Sequence, residues 1–428
     1  MADLIQYSNL LPVYLSYGMG VDSTAILLRW ILEPESRDFD LSQLTVMTAM
    51  TGDEFGDTKR FVQKYILPLL RQHKIRYVQV SRTGQSQSDG ITVLSDSRET
   101  RRMQMRGPYT LFDELALAGT VPNFGGEHRC SLKFKAWVLT EWMKTEIGSN
   151  PCRHVFGYSA EEQSRISKSE TAFAALNEQL QTVSTLRVGA EPTHRLILGY
   201  SAEETKRIKE AQHYNTKGRI GQYPLCEWGW GRQQCEEYIT SKLGVLWEKS
   251  ACCFCPFSRL TPELIERWTN HPRRTAKALV LEFLSLSLNP RRTLFKNTTL
   301  HEQLADVPEA SLIWKHYNQF LNSTDWNLYR VRRIYTAKGK ADRCLQILDT
   351  GSRQEMAEAL DFYNLDSQTA HGITYKTKRQ AEPGIYPFAQ EYFTIAPAIP
   401  QEKARYGIEW FEERWDRIVG EKQQLLFA

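Results

Sequence analysis

The stretch Leu15–Thr24, which reads Leu-Ser-Tyr-Gly-Met-Gly-Val-Asp-Ser-Thr, decides the fold that the sequence predicts. It stands between the apolar run Leu10–Leu15, which predicts a short buried strand, and Ala25–Leu32, which predicts a helix that ends near Pro34. Glycines let a backbone approach a ligand closely, and the N–H groups at a helix start point toward that ligand. The stretch therefore predicts a phosphate-binding loop.

Two familiar phosphate loops do not fit these residues. A Walker A loop ends in Gly-Lys-Ser/Thr, and Val21–Ser23 supplies no lysine. The dinucleotide fingerprint requires a third glycine where Ser23 stands. A carboxylate such as Asp22 beside a triphosphate requires a magnesium ion between them. An ordinary strand-to-helix glycine turn is the alternative that the motif alone leaves open.

Strand-like and helix-like segments alternate after this loop. Leu44–Met50 and Ile75–Val80 predict strands on either side of a helix over Lys59–His73. Such alternation predicts an α/β fold in which helices cover both faces of a parallel sheet. Ligands of these sheets bind beyond the carboxyl ends of the strands, which is where the loop predicted above lies.

A second loop at the same edge carries two acidic residues. Thr51–Thr58 follows the second predicted strand and contains Asp53 and Glu54. These carboxylates are placed to hold magnesium or a ribose hydroxyl. Acidic residues that favour the start of a helix are the alternative interpretation.

Length and composition indicate a globular protein of two or three domains. The chain has 428 residues, of which 41% are hydrophobic and 24% are charged, so it can bury a sizeable core. No apolar run is long enough to span a bilayer and the N-terminus lacks a signal pattern, so we expect a cytoplasmic protein without a membrane partner. The formal net charge of +4 is too small to indicate nucleic-acid binding by itself.

Three of the eight cysteines cluster at Cys252, Cys253 and Cys255. In a reducing compartment such a cluster indicates metal or redox chemistry more than disulfides. Only one Cys-x-x-Cys knuckle is visible, so a fourth ligand would come from elsewhere in the chain, and the candidates are Cys130, Cys226 and Cys235. Metal-free packing and zinc are the alternatives that the residues by themselves leave open.

Two basic segments offer donors for phosphate. Arg98–Arg106 contains four arginines, whose forked guanidinium groups suit phosphate or sulfate oxygens, and a solvated basic helix face is the alternative. The stretch 329–343, with Tyr329–Tyr335 followed by Lys338, Lys340 and Arg343, interleaves tyrosines with positive charge. That pattern fits contact with a nucleic-acid backbone, and a basic surface strand or helix is the alternative.

An internal repeat lies in the middle of the chain. Phe156–Glu162 recurs as Leu198–Glu204, and each copy continues to an Arg-Ile pair, at Arg165 and at Arg207. Each copy predicts a strand, a turn and a helix start.

Beyond residue 260, Thr261–Leu288 predicts a helix, and the Pro-rich tail 380–400 predicts an irregular segment.

Residues Ser16, Gly20, Asp22 and Ser23 resemble the PP-loop of the adenine-nucleotide alpha-hydrolases. Further elements resemble the phosphoadenosine phosphosulfate (PAPS) reductase-like branch, which includes the ATP pyrophosphatase of DNA phosphorothioation. They are Glu127–Lys135, Gly199–Glu204 with Arg207, Tyr223–Trp228, and Ser250–Phe257. Gly18 and Met19 occupy the Ser-Gly positions of the family pattern, and Val21 replaces its frequent lysine.

The resemblance implies a Rossmann-like nucleotide-binding α/β domain over residues 1–260. The pattern beyond it predicts a mainly helical accessory region over 261–428. It implies that ATP with Mg²⁺, or PAPS, binds through its phosphates to Ser16, Gly18, Gly20, Asp22, Ser23 and Thr24. Asp53 or Glu54 would serve the metal or ribose, and Asp22, Lys133, Glu204 and Arg207 would act on the substrate. The lysine spacing leaves Lys135 open as the alternative to Lys133. Cys130, Cys252, Cys253 and Cys255 would hold an iron–sulfur cluster.

Three functions follow from the resemblance. The first is an enzyme that cleaves or transfers at the alpha-phosphate and activates an acceptor for sulfur transfer or nucleic-acid modification, with a sulfur-donor protein as partner. The second is a PAPS reductase with an external thiol donor, because the last cysteine, Cys344, lies far from the C-terminus. The third is a non-catalytic subunit that binds nucleotide and nucleic acid, to which the basic stretch 329–343 would contribute.

Overall fold

A computed structural model describes residues 11–122, 129–148, 150, 152–156, 219–222, 224–338, 340–380 and 386–426. The chain divides into two compact units. The first comprises Met1–Thr110 with Arg129–Cys252, and the second comprises Leu111–His128 with Cys253–Ala428. The first unit thus ends at Cys252, and the segment Leu111–His128, which interrupts it in sequence, belongs to the second unit.

The helices and strands are numbered here in chain order. The strands are β1 Val13–Ser16, β2 Leu44–Ala49, β3 Arg76–Arg82, β4 Ile91–Ser97, β5 Cys152–Phe156, β6 Arg219–Gln222, β7 Trp326–Ala337, β8 Lys340–Gly351, β9 Asp366–Ala370, β10 Ile373–Arg379, β11 Phe388–Pro397 and β12 Lys403–Ala404. The helices are α1 Val21–Leu32, α2 Gly56–Phe61, α3 Leu67–Gln72, α4 Leu111–Leu117, α5 Arg129–Ser131, α6 Trp137–Ile147, α7 Pro224–Glu227, α8 Arg232–Leu243, α9 Pro262–Thr269, α10 Pro272–Leu288, α11 Leu300–Ala305, α12 Ser311–Ser323, α13 Arg353–Asp361 and α14 Ile408–Leu426. Two π-helical turns, Val62–Ile66 and Leu132–Ala136, join α2 to α3 and α5 to α6.

The first unit contains a mixed, mostly parallel sheet of order β4-β3-β2-β1-β5-β6. β1 lies between β2 and β5 and runs parallel to both, and β4 is the antiparallel edge strand. The strands predicted over Leu44–Met50 and Ile75–Val80 and the helix between them are confirmed within a few residues. The predicted start of the fold, a strand followed by a helix that ends before Pro34, is also confirmed.

Helices cover both faces of this sheet, because alternate residues of β1 enter different cores. Val13 and Leu15 pack in a cluster with the buried side of α1, whereas Tyr14 packs with α6 through Trp142. β2 is buried over its whole length, as expected for a strand with helices on both sides. The unit is therefore an α/β layer structure in which β1 is a central strand.

The second unit corrects two expectations. It contains an antiparallel sheet of order β12-β8-β7-β11-β10-β9, so the region 261–428 is mixed and not mainly helical. The tail predicted as irregular over 380–400 contains β11, which pairs with β7 from Phe388–Tyr335 to Pro397–Trp326. The helix predicted over Thr261–Leu288 is present as two helices, α9 and α10, separated at Asn270 and His271.

Candidate functional site

The loop Tyr17–Gly20 leaves the carboxyl end of β1 at the point where the strand order reverses. The next three strands along the chain, β2 to β4, lie on one side of β1, and β5 and β6 lie on the other. In open parallel sheets this reversal opens a crevice in which ligands bind. The predicted phosphate loop thus occupies the edge of the sheet at which a ligand site is expected.

Three hydrogen bonds fix the backbone of this loop. The Tyr17 amide donates to the Met47 carbonyl at 2.8 Å, and the hydroxyl of Thr48 donates to the Tyr17 carbonyl at 2.9 Å. The Trp247 indole donates to the Met19 carbonyl at 3.0 Å. Met19 has a φ of +61°, in the left-handed region that favours glycine, and its side chain is buried in the core. The loop therefore holds a strained conformation that its surroundings determine.

Helix α1 begins directly after this loop without a side-chain cap. Its N-cap residue is Gly20, whose carbonyl accepts from the Thr24 amide at 3.1 Å. The first-turn amides of a helix have no acceptor within the helix, so they are suited to bind an anion. Gly18 is exposed, and a Cβ there would meet nothing within 4 Å. The loop thus has room for a ligand above its backbone.

The predicted cofactor residues divide by environment. Asp22, in the first turn of α1, lies 3.6 Å from Arg232 at the start of α8. The hydroxyl of Ser23 donates to the Gly20 carbonyl at 3.4 Å. Thr24 is fully buried, and its hydroxyl shares a hydrogen bond of 3.2 Å with the Tyr17 phenol, so it holds the loop to the core.

Ser16 has a partner that sequence reasoning missed. Its hydroxyl lies 2.7 Å from Nε2 of His154, which is on the neighbouring strand β5 and 3% exposed. A single histidine in the short stretch Cys152–Phe156 gives no sequence signal for this contact. The pairing of β1 with β5 produces it, since Tyr14 is in register with His154.

The second predicted loop is buried beside the first. Gly52 turns the chain with a φ of +91°, and the Thr51 amide then donates to Oε1 of Glu54 at 3.1 Å. Asp53 and Glu54 are 3% and 1% exposed. Among the described residues, Oε2 of Glu54 has no hydrogen-bond partner although it is buried. A buried carboxylate oxygen without a donor indicates a place for a cation or a ligand hydroxyl.

The segment Ser250–Cys252 joins the two loops. The Phe55 amide donates to the Ala251 carbonyl at 3.2 Å, and Glu54 forms a backbone bridge with Cys252. The Cβ of Ser250 lies 4.0 Å from the position of a Cβ at Gly20. The buried hydroxyl of Ser250 has no partner in the part of the chain that the structure describes. It is thus a polar group at the loop that the motif did not indicate.

Cys252 lies in an acidic environment. Its Sγ is 3.2 Å from the Thr51 hydroxyl. Burial, followed by the charge of Glu54, raises the pKa of the Cys252 thiol well above its usual range, and Lys135 acts in the opposite direction. The charge of Lys135 therefore reaches this site, and Lys133 is exposed on the same π-helical turn. The structure thus brings together Cys252, the acidic loop and Lys135.

The remaining predicted metal ligands belong to other surroundings. Cys253 is 2% exposed, and its thiol donates to the Arg274 carbonyl at 3.3 Å, whereas a metal ligand is a thiolate. Cys130 lies on α5, and Cys255 is half-buried in the second unit. Within the described ranges, no group of three or more His, Cys, Asp or Glu side chains is placed to hold a metal ion. An iron–sulfur cluster stays a prediction.

The basic stretch 329–343 is largely internal to the second unit. Arg332 and Arg333 are 1% and 6% exposed, and they bond Glu412 and the Leu288 carbonyl respectively. Arg330 pairs with Glu391 at 2.6 Å. These arginines stabilise the sheet, so they do not present a continuous basic surface to a nucleic acid.

Glu204, Arg207 and both copies of the repeat beyond Phe156 lie outside the described residues. No family model, no curated protein and no solved structure matches this chain. In the described part of the chain, none of the helices combines the length and the apolar character needed to cross a membrane.

Proposed function

We propose that this chain binds ATP with Mg²⁺ on the β1–α1 loop and cleaves or transfers at the alpha-phosphate to activate an acceptor. The fold would then be the Rossmann-like one of the adenine-nucleotide alpha-hydrolases. One observation carries the proposal: an uncapped helix start at the strand-order reversal adjoins the unpartnered buried oxygens of Glu54 and Ser250. The helix start and the Ser250 hydroxyl offer hydrogen-bond donors to phosphate, and Glu54 offers a carboxylate oxygen to magnesium.

Each residue has a defined role in this proposal. The phosphates would bind the amides of the loop and of the first turn of α1. Asp22 and Glu54 would hold Mg²⁺, which would supply positive charge to neutralise the phosphate oxygens that react. Ser250 would donate to a phosphate oxygen. His154 would orient the Ser16 hydroxyl, as a positioning residue.

The departures from the family pattern are compatible with nucleotide binding. Met19 adopts a backbone conformation that glycine favours, so the loop keeps its shape without the glycine. Val21, which stands where a lysine is frequent, is fully buried and cannot contact phosphate. Arg232 lies beside Asp22 and is 37% exposed, so it would supply the positive charge that Val21 lacks.

The buried state of Cys344 weighs against a reductase that uses its own last thiol. Cys344 is 1% exposed on β8, and its sulfur lies 3.7 Å from Arg332. A PAPS reductase with an external thiol donor remains as an alternative. The loss of the lysine at Val21 favours the other alternative, a subunit that binds nucleotide without turnover.

Release of pyrophosphate from ATP tests the proposal. The protein is purified without oxygen and assayed for iron and sulfide, and Asp22→Asn is compared with wild type. We expect Asp22→Asn to lower the rate on the order of 100-fold. Its unfolding free energy should change by less than about 1 kcal/mol, because the ion pair with Arg232 is partly exposed.

Glu236→Gln is the matched control. Glu236 accepts from Nε of Arg232 at 2.8 Å, so this variant removes the other carboxylate partner of the same arginine without touching the loop. It should release pyrophosphate at the wild-type rate. Equal release by wild type and Asp22→Asn would contradict catalysis, and nucleotide binding without release by wild type would identify the non-catalytic subunit.

A further inference from the structure

The first unit carries a basic groove beside the second loop. Gly56, Lys59, Arg60, Gln63 and Lys64 line an open groove of about 410 Å³ along α2 and the π-helical turn. Arg60 and Lys64 are exposed. Among the described residues, none of the three cations in this groove pairs with a carboxylate. A groove with uncompensated positive charge attracts a polyanion.

A second segment of the chain, 98–106, adds two cations beside this groove. The segment 98–106, predicted as a basic helix face or an anion site, is irregular and runs alongside the helical stretch 56–72. Nη1 of Arg71 donates to the Thr100 carbonyl at 3.0 Å, and the Met103 amide donates to Oε1 of Gln63 at 3.0 Å. Arg101 and Arg102 lie between these two attachments.

Both arginines are exposed, and the described residues contain no carboxylate that pairs with either. Thr100 and Met103 are attached to residues 71 and 63 of the helical stretch, so the segment that carries Arg101 and Arg102 runs along this stretch. The two segments therefore form one surface, which we call the basic strip and define as Lys59, Arg60, Lys64, Arg101 and Arg102.

The acidic residues around the basic strip do not neutralise it. Asp57 is 8% exposed, and its Oδ1 accepts from the Thr58 amide. Asp96 pairs with Arg76 at 2.6 Å. Glu99 is exposed next to the strip, so the strip as a whole keeps a positive charge of about four.

We propose that the basic strip binds the phosphate backbone of a nucleic acid. The stretch from residue 59 to residue 71 extends about 18 Å at the helical rise of 1.5 Å per residue. Lys59 and Lys64 lie about 7.5 Å apart along that axis, and Arg101 and Arg102 lie between the attachments at residues 63 and 71. The cations thus follow one line, which suits successive phosphates of a polymer. The half-buried rings of Phe61 and Tyr65, against which Arg60 and Lys64 pack at 5.6 and 5.0 Å, hold two of the cations in place.

The position of the basic strip relates it to the loop edge. α2 starts at Gly56, directly after the loop that contains Asp53 and Glu54, so the first cations lie near the carboxyl edge of the sheet. A polymer held on the strip would reach the edge at which the β1–α1 loop lies. The inference does not depend on nucleotide turnover, because binding to the strip requires only its charges.

The test measures binding of a fluorescein-labelled 30-nucleotide single-stranded DNA to the full chain at several KCl concentrations. Arg101→Ala/Arg102→Ala should weaken binding about tenfold at low salt and reduce the slope of log K against log[KCl] by about 1.4. Lys59→Ala/Lys64→Ala should have a similar effect, which keeps the test valid if one double variant is misfolded. Circular dichroism confirms the fold of each variant.

Arg291→Ala/Lys296→Ala is the matched control, because it removes the same charge from two exposed residues of the second unit. It should leave the slope unchanged. The proposal is overturned if wild type does not bind DNA at low salt, or if the two strip variants behave like the control. Binding to phosphatidylserine vesicles is measured in parallel. The proposal is also overturned if the strip variants bind these vesicles more weakly but bind DNA as wild type does.

Discussion

Gly52 offers the sharpest test of how the acidic loop is built. It has a φ of +91°, and a Cβ at this position would lie 2.5 Å from Cγ2 and 2.8 Å from Cβ of Thr110. An alanine in left-handed backbone is unfavourable by about 1–2 kcal/mol. The overlap with a buried threonine adds about 1–3 kcal/mol, because Thr110 is 1% exposed and cannot move into solvent. Gly52→Ala should therefore destabilise the protein by about 2–5 kcal/mol.

Gly90→Ala separates the two contributions. Gly90 has a similar φ of +73°, but nothing lies within 4 Å of the position of its Cβ. Its ψ of −154° lies in a region that is essentially restricted to glycine, so Gly90→Ala should lose only a backbone contribution, about 1–3 kcal/mol. Thr110→Ser removes the methyl group that makes the closest contact and keeps the hydroxyl. In a double-mutant cycle, Thr110→Ser should therefore recover about 1 kcal/mol of the loss caused by Gly52→Ala.

Urea unfolding followed by circular dichroism measures these differences. Pyrophosphate release adds a functional readout, since Gly52 sets the turn in which the Thr51 amide donates to Glu54. Gly52→Ala should lower that rate, whereas Gly90→Ala should not. Equal destabilisation by the two alanine variants, or no coupling to Thr110, would refute the proposed packing of the loop.

Two further predictions concern buried carboxylates. Burial raises the pKa of Glu282 to about 6 from 4.5, although the amides of Leu294 and His301 donate to it. The folded state thus binds this proton more tightly, so the contribution is present below pH 4.5 and is lost as the pH rises through 6. This contribution to the unfolding free energy amounts to about 2 kcal/mol. Urea unfolding from pH 4 to 8 should show it in wild type and not in Glu282→Gln. An identical pH dependence of the two proteins would contradict the assignment. Glu54→Gln should abolish magnesium-dependent turnover and, by removing a charge that raises the pKa of Cys252, speed its alkylation by iodoacetamide in peptide mapping; unchanged alkylation would mean that the two groups are not neighbours.

The part of the fold that local pattern could predict is the start of the first unit. β1, α1, β2, the helical stretch 56–72 and β3 follow one another with short connections, and each has the periodicity of its element. The strand–loop–helix joint also placed Asp22, Asp53 and Glu54 at one edge of the sheet, because parallel strands end at the same edge.

The second sheet could not be predicted in the same way, because its pairing is long-range. Arg330 on β7 forms an ion pair with Glu391 on β11, and Arg332 bonds Glu412 on α14. These partners lie 61 and 80 residues away along the chain. Without them, the alternation of arginine with tyrosine and isoleucine resembles a basic surface, although the packed sheet buries Arg332 and Arg333.

The same reasoning explains which parts of the candidate site were missed. Ser250 and His154 reach the β1–α1 loop from segments more than 130 residues away, and neither stands in a motif. Both positions depend on strand pairing or backbone bridges, which have no local sequence signal. Lys135 is distinguished from Lys133 only by its electrostatic effect on Cys252.

The departure at Val21 can be judged only in the folded chain. A lysine there would place positive charge on the loop from within the motif, but the side chain at this position is fully buried against the core. Arg232 brings a guanidinium to within 3.6 Å of Asp22 from the start of α8, some 210 residues later. If the charge balance of the loop matters for ATP, removing Arg232 should impair pyrophosphate release as strongly as removing Asp22, whereas a structural role would leave turnover intact. The motif alone therefore does not show the positive charge at this loop, because Arg232 is brought there by the tertiary structure.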